Sequence, residues 1–352
     1  MTVNGESLRV ALAETAAEHG PGLYGLVTEP GAPGSASGSV TVFADSVGIA
    51  NLDRTRPLEA GDRFRIGSLT KTYVATLVLQ LVADGVLALD DTVEKLLPGL
   101  VPSGDRITVE VLLRLRSGLP DYTTALYGNP PTDLSALSRY WSPRQLVAAA
   151  LSADDRLEPD SAHRYCNLDY ILLGMMIEAS TGERVDAQMW QRIFKPLDLR
   201  DTTFPTVDPY LRGPHADGHI RLGPGRPYFE FTTMSPSEGW TAGAIEATAG
   251  DVAAFLDGLF GGALLPERYL AQMIEPTQRI DAQRGFGLGV MRYDFGYGPD
   301  KVAYGFTGGV PGFSTLALRT VSGRCVVVWQ NGIDLHNILT TDCVFLQAAL
   351  RA

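Results

Sequence analysis

The sequence predicts an α+β fold: a sheet assembled from both ends of the chain, with a mainly helical lobe inserted between them. Three observations support this. Short β-type runs cluster near the N-terminus, helical periodicity dominates the middle, and β-type runs return after residue 284. The 352 residues suit one domain, with sub-lobes at 1–67 and 271–352 (sheet) and at 68–270 (helices and loops).

In chain order, residues 6–19 have the pattern of an amphipathic helix ending near Gly20. Strands follow at 23–28 and 39–44, separated by a Gly/Pro/Ser turn region, and a third is expected at 47–51. A helix opens at Ser68 and closes at Gly85. Shorter helices are expected at 108–116, 143–151, 169–181 (closing at Gly182) and 186–194, where Pro196 stops the pattern. The Pro-, Gly- and aromatic-rich stretch 203–240 predicts a long structured loop carrying a hairpin. A helix at 249–260 ends at Gly261-Gly262. Strands at 287–293, 316–320 and 325–330 then precede a closing helix at 336–350.

Composition excludes several functions. A net charge of −11 opposes nucleic-acid binding, which needs a basic surface. No apolar run is long and charge-free enough to span a membrane: the run at 74–82 meets Asp84 and then Asp90-Asp91. The opening residues 1–7 lack a basic segment followed by an apolar one, so no signal peptide is expected. Cys166, Cys325 and Cys343 are an odd number without CxxC spacing, which predicts a reducing, cytoplasmic setting. His215 and His219 are four apart, but Ala216-Asp217-Gly218 between them indicates a loop, so neither a metal nor a cofactor is expected.

Three segments carry chemistry. Ser68-Leu69-Thr70-Lys71 falls at the predicted start of a helix, where residues three apart share a face, so hydroxyl and amine lie together. Serine becomes a nucleophile when a neighbouring base takes its proton. Tyr165-Cys166-Asn167 precedes the helix at 169–181 and brings a phenol to shuttle protons and an amide to hold lysine and substrate. Thr307-Gly308-Gly309, with Phe306 before it, offers an edge strand and a backbone N–H for an oxyanion. Each segment taken alone also fits a plain structural role: Ser68 as a helix cap with Lys71 solvated, Tyr165 and Asn167 as loop and cap residues, and the Thr-Gly-Gly run as an ordinary turn.

Together and in this order, the motifs S-x-x-K, Y-x-N and x-T-G resemble the serine β-lactamase, penicillin-binding protein and D,D-peptidase superfamily. Class C-like enzymes, D-alanyl-D-alanine carboxypeptidases and related esterases are the most similar members. Residues 112–122 resemble the family's LLTHTSGLPDY segment and residues 165–174 its YSNxxYxLLG; 193–202, 242–249 and 285–289 match further landmarks. The resemblance implies an antiparallel sheet with flanking helices and a cleft against the helical lobe. It also implies Ser68 as acylated nucleophile, Lys71 and Tyr165 as its proton-transfer partners, Asn167 as a substrate ligand, and an oxyanion hole from the backbone N–H groups of Ser68 and Gly309. Tyr122, Trp141, Trp240 and Phe313 fall in segments that border the family's cleft; lining an apolar acyl pocket and plain core packing are both open to them.

Departures from the family narrow the substrate. Phe306 stands where the family has His or Lys, the residue facing the carboxylate of penicillins and D-Ala-D-Ala peptides. Phenylalanine carries neither charge nor a hydrogen-bond donor. Leu115 replaces the family's His, Asp160 its Gly, and Cys166 its Ser. The expected function is therefore acyl transfer through an acyl-Ser68 intermediate, from a small-molecule or peptide-like acyl donor to water, an amine or an alcohol. A β-lactamase or D-alanyl-D-alanine carboxypeptidase is the alternative within the class. A non-catalytic binding or sensor protein on the same scaffold is the alternative outside it.

Overall fold

The computed structural model describes residues 4–31, 38–53, 56–128, 134–223, 225–275, 278–296, 301–334 and 339–351. The strands are β1 (Gly22–Pro30), β2 (Ser39–Gly48), β3 (Phe64–Arg65), β4 (His219–Arg221), β5 (Phe229–Glu230), β6 (Glu246–Ala247) and β7 (Gln278–Arg279). They continue with β8 (Arg284–Phe286), β9 (Met291–Asp294), β10 (Val302–Val310), β11 (Phe313–Thr320), β12 (Cys325–Gln330) and β13 (Gly332–Asp334). The helices are α1 (Gly5–Glu18), α2 (Thr70–Ala83), α3 (Val93–Leu96), α4 (Val109–Leu113), α5 (Tyr122–Tyr127) and α6 (Pro143–Leu151). Then come α7 (Asn167–Thr181), α8 (Val185–Met189), α9 (Trp240–Gly243), α10 (Ala249–Phe260), α11 (Glu267–Ile274) and α12 (Val344–Arg351).

The main sheet is eight-stranded and antiparallel throughout, in the order β2-β1-β12-β11-β10-β9-β8-β7. The β1–β12 pairing, from Leu23↔Gln330 to Thr28↔Cys325, joins the two ends of the chain. β12, Cys-Val-Val-Val-Trp-Gln, is buried at every position, whereas edge strand β2 is mostly exposed. A central strand covered on both faces needs apolar side chains on both. α10 packs on β11 and β12, while α1 and α12 pack together against β1, β2 and β12. α10 lies within 68–270 yet belongs physically to the sheet. Helices α2, α4, α6, α7 and α9 pack among themselves beside it.

Several predicted bounds shift. No separate strand forms at 47–51: β2 runs on to Gly48, whose φ of 91° turns the chain out of the sheet. The run at 287–293 is interrupted, because Gly289, at φ 74°, reverses the chain between β8 and β9. A side chain at Gly289 would also strike Ala75 Cβ at 2.3 Å, so the turn packs directly on α2. α8 gives way after Met189 to a wider π-type turn, in which Lys195 N–H donates to Trp190 O at 2.9 Å. The closing helix begins only at Val344: Leu339 N–H donates to Ser314 Oγ (3.0 Å) outside any helix, and residues 336–338 lie outside the described residues. The loop at 203–240 carries the expected hairpin, β4 paired with β5, and β4 also pairs in parallel with β13.

Candidate active site

Ser68 lies in a single 3₁₀ turn, Gly67–Leu69, that leads directly into α2. Gly67 has φ 57°, and a Cβ there would lie 2.7 Å from Gly309 N. A Cβ at Gly308 would lie 1.9 Å from Ile66 O and 3.2 Å from Ser68 N. Only glycines on both sides let β10 come this close to the turn, and the approach sets the Ser68 and Gly309 backbones side by side. β10 pairs with β9 only from Val302 to Gly305, so Phe306–Val310 is an open edge on that side, as the Thr-Gly-Gly run requires for contact with a bound ligand.

Lys71, one turn along α2, is completely buried, and among the described residues no carboxylate forms an ion pair with it. Its Nζ donates to Ser68 Oγ at 3.1 Å, Asn167 Oδ1 at 2.8 Å and Ala242 O at 2.7 Å. It also lies 5.0 Å from the Tyr165 ring centroid and 5.7 Å from that of Tyr170, both within cation–π range. Tyr165 OH is 2.6 Å from Ser68 Oγ, although the rest of the residue is substantially exposed. The loop that carries it is pinned by Arg164, whose guanidinium donates to the carbonyls of Gly118, Leu119 and Asp155.

α7 begins at Asn167 without a cap from its own N-cap residue, Cys166. Asp121 supplies the cap from another element: its carboxylate accepts from Asn167 N (2.6 Å) and Nδ2 (3.1 Å). With Nδ2 so held, the amide oxygen of Asn167 turns to Lys71. Ala242 O is delivered by α9, which opens on Trp240 at φ 31°, an unfavourable conformation for a bulky residue. A buried aspartate, Asp169, lies in the first turn of α7 and accepts from Ser117 Oγ, and desolvation pushes its carboxyl up to about 7.

These groups open onto a cleft of about 460 Å³ lined by Ser68, Tyr165, Asn167, Tyr122 and Phe306–Gly309, together with Leu137, Glu238 and Ile333. Tyr122 is buried beneath it and donates to Glu238 O at 2.8 Å. Phe306 is buried and meets Phe286 edge-on, ring centroids 5.9 Å apart, so an apolar pair fills the position where the family carries a cation. Three of the proposed pocket aromatics are elsewhere. Trp240 and Trp141 line a different cavity, because the Trp240 ring turns down onto Gly174 of α7 (a Cβ there would lie 2.8 Å from it). Phe313 is fully buried in β11 and packs against Gly218. Leu115 and Asp160 both have positive φ, 55° and 62°; Asp160 forms an ion pair with Arg116.

Asp121, Ala242 and Glu238 join the site from outside the three sequence motifs. Asp121 is legible in retrospect as an N-cap, since it precedes α5 and its Oδ1 accepts from Thr123 N. A backbone carbonyl such as that of Ala242 leaves no residue-type signal.

Fold and site together define a serine hydrolase. Residues 14–336 match the Beta-lactamase family. The chain is similar to a D-stereospecific amidohydrolase from Streptomyces sp., with 31% identity, a TM-score of 0.82 and 94% of each chain covered. It is 28% identical to Penicillin-binding protein 4 of Amycolatopsis lactamdurans over 87% of this chain and 83% of that protein. It is 32% identical to Esterase EstB of Burkholderia gladioli over 50% of this chain and 47% of that one. The chain belongs to the Beta-lactamase family.

Proposed function

We propose that the protein cleaves ester or amide bonds of small-molecule or peptide-like acyl donors through an acyl-Ser68 intermediate. The convergence of Lys71 Nζ and Tyr165 OH on Ser68 Oγ, at 3.1 and 2.6 Å, carries this reading. Two carbonyl-type oxygens, from Asn167 and Ala242, flank the amine. A neutral amine gives both its hydrogens to these two acceptors and keeps its lone pair for the Ser68 proton. A protonated amine uses all three hydrogens, as after that transfer. The surroundings therefore fit Lys71 before and after it acts as base. Tyr165, bonded to Ser68 Oγ and open to the cleft, is placed to relay the proton to the leaving group. The backbone N–H groups of Ser68 and Gly309 form the oxyanion hole.

Phe306 favours donors without a carboxylate at that subsite, hence esters and amides over penicillins and D-Ala-D-Ala peptides. The likeness to an esterase and to an amidohydrolase supports that choice. The acceptor is water, an amine or an alcohol. The free, buried Cys166, Cys325 and Cys343 fit a reducing cytoplasmic setting. A fluorophosphonate probe tests the nucleophile: it should label the wild type and not Ser68→Ala. Turnover of neutral esters and amides should exceed that of penicillins and D-Ala-D-Ala peptides. An unlabelled wild type, or efficient turnover of the carboxylate substrates, overturns the reading.

A further inference from the structure

The cleft holds a carboxyl group that acyl transfer through Ser68 does not use. Glu238 is only 8% exposed and lines the same cleft as Ser68. Tyr127 of α5 lines the same cleft beside it. The charged groups facing it are Asp121, at the N-cap of α5, and Lys71 of α2. Lys71 is already committed to Ser68, Asn167 and Ala242. Among the described residues no lysine, arginine or histidine forms an ion pair with Glu238. Desolvation, reinforced by Asp121, pushes its carboxyl up to about 7.

A carboxyl buried without a cation weakens the fold and is stabilised once a cation arrives. The cleft it lines also carries Leu137, Tyr122, Phe306, Val310 and Ile333, which are apolar or aromatic. An apolar lining lowers the local dielectric and so strengthens a charge-assisted bond. The cleft thus lacks a cation to receive a carboxylate and presents an acid in its place. The chain's net charge of −11 also favours the approach of cationic ligands.

We propose that Glu238 binds a protonated amine on the acyl donor, so that the enzyme selects donors carrying a free amino group. This rests on the acyl-Ser68 reading. The test uses Ser68→Ala protein, in which binding is read without turnover. Calorimetry at neutral pH compares phenylalaninamide, as both enantiomers, with 3-phenylpropanamide, which lacks only the amino group. The amine should bind roughly tenfold or more tightly, and Glu238→Gln on the same background should abolish the advantage. Glutamine keeps the size and shape of the side chain, so a purely structural Glu238 would leave the preference intact. Equal binding of amine and desamino compound, binding of neither, or a preference that survives Glu238→Gln overturns the proposal. Fluorophosphonate labelling of the wild type separates the two failures. Labelled Ser68 without an amine preference sinks only the Glu238 assignment, and absent labelling sinks the acyl-enzyme reading.

Discussion

Lys71, buried behind Ser68, and Glu238, in the cleft wall, are ionisable groups of opposite sign, and they lead to different expectations. Lys71 is held by three oxygen acceptors, none of them charged. Lys71→Ala should slow acylation by a factor on the order of 10²–10⁴, the usual contribution of a positioned base. Folding should survive, because the shortened side chain leaves no buried charge. Stopped-flow burst kinetics with a chromogenic ester, alongside circular dichroism, checks both; an unchanged burst refutes the role. Glu238 is the reverse case. Its carboxyl is raised from 4.5 to about 7, so the native state holds its proton where the unfolded chain releases it. That contribution is complete below pH 4.5 and is lost as pH rises through 7, amounting to about 3 kcal/mol. Glu238→Gln should therefore be more stable than wild type at pH 8 and nearly equal to it at pH 4.5, as read from denaturant midpoints at the two pH values.

At the scale of elements, catalytic geometry depends on contacts between segments distant in sequence. Asp121 caps α5 and α7 together and fixes Asn167. Asp121→Ala should cost about 1–2 kcal/mol of stability, the usual value of a lost cap. It should slow acylation as well, because the Asn167 amide loses its anchor; thermal melts and probe-labelling rates read the two effects separately. Gly308→Ala would drive a methyl into Ile66 O and push β10 away from Ser68. The labelling rate should fall by roughly 100-fold or more, by the loss of one oxyanion donor. The elements themselves were largely legible in the sequence. Ser68 and Lys71 share a helix face because their spacing dictates it, and apolar β12 declares a buried strand. Glu238 gave no such signal, since nothing local distinguishes it from a solvated acid until α5 closes over it. Trp240 misled for a related reason: its position in the segment says nothing of which way a ring at φ 31° will point. The break at Gly289 was hidden because a strand pattern reads straight through a turn whose cause is packing on α2.

For the molecule as a whole, Asp169 adds to the effect of Glu238. Its carboxyl, raised from 3.8 to about 7, is likewise protonated in the folded protein and ionised in the unfolded chain between these values. The two together lower the melting temperature as pH rises from 5 to 8, so the wild type should lose more of it across that range than Glu238→Gln/Asp169→Asn. Differential scanning calorimetry of both proteins checks it; parallel profiles refute it. The segment ahead of Ser68 and the segment ahead of α10 are also tied by the fully buried pair Arg65–Glu246 at 2.7 Å, linking β3 to β6. Removing one partner, as in Glu246→Ala, should cost about 3–5 kcal/mol because the other charge stays buried.

The pairing of β1 with β12 has a consequence for synthesis of the protein. During translation the serine, lysine and tyrosine emerge long before β10 and β12 exist to complete their surroundings. Until β12 leaves the ribosome, β1 lacks its inner neighbour and the glycine edge has nothing to stand on. On the acyl-Ser68 reading, reactivity awaits β12, and a polypeptide released before that strand should carry every proposed proton-transfer residue yet stay chemically silent.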